Sequence, residues 1–132
     1  MTIRTSVDAS KRFVCLRYDA EEPPPQETLA AVLAILSDPE LPSDVGILVD
    51  RRALAAPPST DRVHLLTAAL ARHAELLRNR RIAVVYLGQA TYGMLRMAQM
   101  LLTDTPATLA FFATIEEAEA WLRAMPPSRD LQ

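Results

Sequence analysis

Apolar and polar positions change period several times along the chain, and each change predicts an element. Thr2–Val7 and Arg12–Tyr18 carry β-branched or aromatic residues and flank Asp8-Ala9-Ser10-Lys11, which predicts a β-hairpin. Glu21–Pro25 is a charged, proline-rich link. Pro25 suits a first helical turn, where its missing N–H costs no bond. From Gln26 to Leu36, the residues Leu29, Val32, Leu33 and Leu36 recur at helical spacing. Asp38–Ser43 holds two prolines and ends that helix. Val45–Val49 is an apolar run of strand length. Over Thr60–Arg78, the residues Val63, Leu66, Leu70, Ala74 and Leu77 step by three and four, predicting one long helix. Arg78, Arg80 and Arg81 follow near its C-terminus, where cations complement the helix dipole. Ile82–Leu87 is continuously apolar, as expected of a strand covered on both faces. Thr91–Leu102 is again helical and Leu109–Phe112 is the last strand. Thr114-Ile115-Glu116-Glu117 matches a capping box, opening a helix that runs to about Ala124 and buries Ala118, Trp121 and Leu122.

The order is ββαβαβαβα. It predicts an α/β fold with a single-domain mixed sheet: an N-terminal β-hairpin followed by αβαβαβα, with mostly parallel strands and right-handed crossovers. The 132 residues fit one domain, placed at 1–125, with 126–132 as a loose tail. Half the residues are apolar and 23% are charged, a globular composition. A net charge of −2 gives no electrostatic footprint for nucleic acid. Cys15 is the only cysteine, so an intrachain disulfide and a cysteine-rich metal site are excluded, and a buried, inert thiol is expected. No apolar run has the form of a signal peptide or the length of a membrane span, so a cytoplasmic protein is expected.

Candidate chemistry is sparse. His64 and His73 lie nine positions apart on one helix and point to opposite sides, so they cannot share an ion, and no metal is expected. The only glycines are Gly46, Gly88 and Gly93, with no phosphate-cradling loop and no Gly-x-Ser-x-Gly elbow. No cofactor and no catalytic residue are therefore expected. The polar groups worth following lie at strand ends, where open α/β sheets bind ligands. Asp50, Arg51 and Arg52 leave one strand; Gln89, Thr91 and Tyr92 follow another; Ser59 or Thr60 caps the intervening helix. They form either one recognition edge or a surface ion-pair cluster beside an ordinary N-cap. In the helix Thr91–Leu102, a narrow stripe of Arg96, Gln99 and Thr103 interrupts an otherwise apolar surface. Met94, Met97, Met100 and Leu101 on that helix belong to core, to a homodimer face or to an apolar ligand groove.

Three stretches carry a resemblance: "GILVDRRAL", "RIAVVYLGQATYGMLRMAQML" and "LAFFATIEEAEAWL". With the element order, they resemble the STAS/SpoIIAA-like family, the fold of anti-sigma-factor antagonists. The resemblance implies a small regulatory or protein-interaction module and not an enzyme. In family members with a phosphoswitch, a serine in an Asp-Ser-Ser-Gly-Leu-like motif at the start of the helix after the "LVD"-type strand is phosphorylated by a partner kinase. Here the corresponding region is Pro57-Pro58-Ser59-Thr60-Asp61, no glycine follows the serine, and Ser59 and Thr60 match by place alone. The family is also similar to lipid carriers of the Sec14 kind, which implies a small apolar or amphipathic ligand. The first expectation is a module that binds another protein or a second copy of itself. The second is a carrier or sensor of such a ligand. The third, an enzyme, would need a polar pocket with paired titratable groups.

Overall fold

A computed structural model of the chain describes residues 3–54 and 56–124. The expected tail, 126–132, and position 2 of the first strand lie outside the described residues. The hairpin is β1 (Ile3–Val7) and β2 (Phe13–Tyr18). There follow α1 (Pro25–Leu36), β3 (Gly46–Asp50), α2 (Thr60–Ala71), β4 (Arg81–Val85), α3 (Gln89–Leu101), β5 (Thr108–Phe112) and α4 (Ile115–Arg123). The five strands stand in sequential order, β1 antiparallel to β2 and the remaining pairs parallel. Element order and strand direction agree with the sequence expectation.

One expected helix divides. The apolar steps from Val63 to Leu77 predict a single helix, but α2 ends at Ala71 and a separate 3-10 turn occupies Ala74–Leu77. The tighter turn carries Leu77 into the core, where it has no exposed surface, and Asn79 in a left-handed conformation reverses the chain into β4. Arg80 is buried beside it. Its guanidinium donates to the carbonyls of Leu76, Val45 and Leu36, the last being the terminal residue of α1. Arg80 thus caps the 3-10 turn and the neighbouring α1, whereas α2 itself ends without a basic residue in its last turn.

Right-handed crossovers that all progress in one direction put α1, α2 and α3 on the same face of the sheet. Val14, Leu16, Ile47 and Ile82 point to that face and pack with Val32, Ile35 and Leu36 of α1. The opposite face is covered by α4, whose Ala118 and Leu122 bury Phe13, Leu48, Ala83 and Val85. The pairing is close enough to require Gly46: a Cβ there would stand 2.8 Å from the Arg81 carbonyl and 2.9 Å from Leu122.

Candidate functional site

The groups expected to share one edge are divided between the two faces of the sheet. β3 and β4 are parallel neighbours, so their C-terminal ends are adjacent. Side chains alternate along a strand, and Asp50 falls on the α4 side with Leu48, whereas Arg51 turns to the three-helix side. Asp50 is 3% exposed. Arg52 grips it side-on, Nε to Oδ1 and Nη2 to Oδ2, both at 2.9 Å, and Arg17 from β2 donates its Nε to Oδ2 at 3.1 Å. The Arg52 backbone N–H adds a fourth bond at 3.1 Å. Burial alone would raise the Asp50 pKa; the bonds from Arg52 and Arg17 outweigh it and hold the carboxyl below its ordinary value. Nearby Cys15 is half-buried, and burial pushes its thiol pKa up, against the pull of Arg17.

On the other side, Arg51 is 5% exposed and Arg62, from the first turn of α2, is 7% exposed. Both contact Glu22, from the proline-rich link before α1: Arg51 Nη1 at 2.9 Å and Arg62 Nε at 2.6 Å. Arg62 spends its other donors on the Pro23 carbonyl and on Thr28 Oγ1. Arg51 does not. Its Nε and Nη2 are buried and have no hydrogen-bond partner among the described residues. Its guanidinium carbon lies over the Tyr18 ring, 5.7 Å from the ring centre. Arg51 and Arg62 line one end of a cavity of about 140 Å³ between the sheet and the three helices. The rest of the wall is almost wholly apolar, including Val32 of α1, Val63 and Leu70 of α2, Leu95 and Ala98 of α3, and Val84 of β4.

The remaining expected residues have plainer places. Ser59 is the N-cap of α2, its Oγ accepting the Arg62 backbone N–H at 3.1 Å, and Thr60 is exposed beside it. Thr91 is buried in the first turn of α3. Gln89 and Tyr92 border a shallow depression with Tyr86, Gly88 and Gly93. It lies where β4 and β5 send their chains to opposite faces of the sheet. Tyr92 packs against Tyr86 and Phe111. The methionines do not line the cavity; α3 offers Leu95 and Ala98 to it instead, with Leu102 just past its end. Met94 and Met97 are half-buried by their own chain, Met100 is 70% exposed and Leu101 is 41% exposed. The polar stripe has structural uses. Gln99 donates to the Leu109 carbonyl at 2.9 Å on edge strand β5, and Arg96 reaches the Tyr92 hydroxyl at 3.4 Å.

Sequence reasoning passed over Arg17, Glu22 and Arg62. Strand alternation was the available signal for Arg17, because it stands directly opposite Asp50 in the β2–β3 register. Glu22 and Arg62 are 40 positions apart and nothing local connects them.

These features define a single-domain α/β protein with strands in sequential order. No family model and no curated protein matches the chain. Among solved structures, it is similar to the crystal structure of an uncharacterized protein of the DUF3478 family, with a SpoIIAA-like fold, from Shewanella loihica PV-4. The two share 18% identity with a TM-score of 0.59, over 91% of this chain and 93% of that one. The fold of this chain is SpoIIAA-like. None of its described helices is long and apolar enough to cross a membrane.

Proposed function

We propose that this chain is a non-enzymatic regulatory module that acts by binding another protein. The observation that carries the reading is the outward face of α3. Six large apolar side chains are prominently exposed among the described residues, and four of them, Leu87, Tyr92, Met100 and Leu101, fall on α3 or the loop leading into it. Met100 stands in the middle of the exposed half of α3, with Tyr92 and Leu101, nine positions apart, on its opposite flanks; apolar exposure extended along one element marks interaction surfaces more often than singly scattered residues do. Met97 and Met100 supply adaptable thioether surface at its centre. The non-catalytic reading is supported by the charged groups at the strand ends: Asp50 and Glu22 are each held by two arginines.

The test is Met100→Glu, which alters an exposed position and should leave the melting temperature nearly unchanged. Wild-type chain and variant serve as bait in the source cell extract, and captured protein is purified and titrated back. A partner bound at least about fivefold more weakly by Met100→Glu supports the reading. Equal binding by both overturns it. Light scattering of the purified chain identifies a second copy as the partner if wild type is dimeric and the variant monomeric.

A second reading, a carrier or sensor of a small apolar or amphipathic ligand, is favoured by the cavity between the sheet and the three helices.

A further inference from the structure

We propose that the cavity is a receptor for a small apolar acid, its carboxylate held by the free edge of Arg51. The proposal rests on the ligand-binding reading and adds the chemistry of the ligand's head. Three observations carry it.

The first is which donors are free. Nη1 of Arg51 is committed to Glu22, and Nε and Nη2 are the two without a partner among the described residues. These two N–H groups lie parallel on one edge of the guanidinium, the fork that matches the two oxygens of a carboxylate; they are fully covered, so a ligand reaches them only as the Arg51 side chain turns into the cavity. The neighbouring residue shows what such a fork does in this protein: Arg52 uses the same two nitrogens to hold both oxygens of Asp50 at 2.9 Å.

The second is charge. Arg51 and Arg62 are both buried and share the single carboxylate of Glu22. Among the described ion pairs, two cations against one carboxylate leave this end of the cavity one negative charge short. Buried charges are ordinarily paired, and buried N–H groups ordinarily bonded. A monoanion satisfies both conditions at once. A neutral amide or alcohol satisfies neither fully.

The third is shape. Beyond Arg51 and Arg62 the wall is formed mainly by Val, Leu and Ile side chains of the sheet and helices. The space of about 140 Å³ is close to the engineered cavity of about 150 Å³ that accepts benzene. The ligand is therefore a six-carbon-sized apolar body carrying one carboxylate, either aliphatic or aromatic.

The experiment is a calorimetric or NMR titration of the full chain near neutral pH with three kinds of probe. They are hexanoate and benzoate, their near-isosteric amides hexanamide and benzamide, and toluene. The proposal expects at least one acid to bind about tenfold or more tighter than its own amide. It also expects that preference to vanish in Arg51→Met, with toluene binding retained. The acid–amide comparison uses wild-type protein alone, so it holds even if Arg51→Met does not fold. Acid and amide binding equally, or toluene alone binding, would overturn the Arg51 receptor and leave the cavity as a ligand site. No binding by any probe would overturn both.

Discussion

Asp50 takes four hydrogen bonds from two arginines while being almost wholly buried, and this sets how it responds to acid. Its folded pKa lies below the ordinary value near 4. The carboxylate therefore contributes stability that is complete above the unfolded pKa and is lost as the pH falls through the folded one. Asp50→Asn should lower stability at neutral pH by about 1–3 kcal/mol. Because Arg17 and Arg52 keep substantial access to water, the loss should stay below that of a fully buried broken pair. The variant should also decline less steeply than wild type below about pH 4. Urea unfolding across pH measures both effects. Asp50 and Arg51 also show how local sequence can mislead. They are adjacent and oppositely charged, yet they serve different clusters, because consecutive residues at a strand end face opposite sides of the sheet.

At the scale of elements, the start of α2 was the segment with two readings: phosphorylatable switch or helix cap. The structure places the Ser59 hydroxyl on the Arg62 N–H, which is N-cap geometry. Ser59→Ala should cost about 1 kcal/mol, and Ser59→Asp, which caps equally well, should stay within about 0.5 kcal/mol of wild type in thermal or urea unfolding. A further stake is positional. Arg62 begins from this turn and carries Glu22, so a frayed α2 start would loosen the charged end of the cavity. In α3 one element serves two surfaces: Leu95 and Ala98 close the cavity, while Met97 and Met100 lie on the outward side. Gln99, on its flank, occupies the Leu109 carbonyl and blunts edge strand β5, which would otherwise offer that group to another chain. At the end of the chain, Thr114 accepts the Glu117 N–H as the capping-box pattern predicts. The pattern was legible because it involves residues three apart.

Across the whole molecule, one face of the sheet carries three helices and the other only α4. That lone helix is tied to the hairpin by Arg123, which donates to both oxygens of Asp8, at 2.7 Å and 3.3 Å. The Arg123 bond outweighs the opposing effect of burial and, with smaller help from Ser10, holds the Asp8 carboxyl far below its ordinary range. A depressed folded pKa again means stability present above about pH 4 and lost on acidification. Asp8→Asn should therefore speed hydrogen exchange of the Ala118–Leu122 amides at neutral pH relative to wild type. In wild-type protein the same amides should lose protection progressively as the pH falls below about 4. Unchanged exchange in the variant would show that apolar packing alone seats α4. The sequence by itself determined the element order, the sheet directions and the caps, because periodicity, turn residues and capping pairs act within a few positions. It also determined that nearly all of α3's surface would be apolar. Only the tertiary structure decided which apolar residues face the cavity and which face outward. It alone broke the expected long helix at Ala71, because Leu77 had to reach a core defined by distant strands. And it alone brought Glu22, Arg51 and Arg62 together and left one guanidinium edge without a partner among the described residues, since that meeting depends on crossovers spanning 40 residues and not on any local pattern.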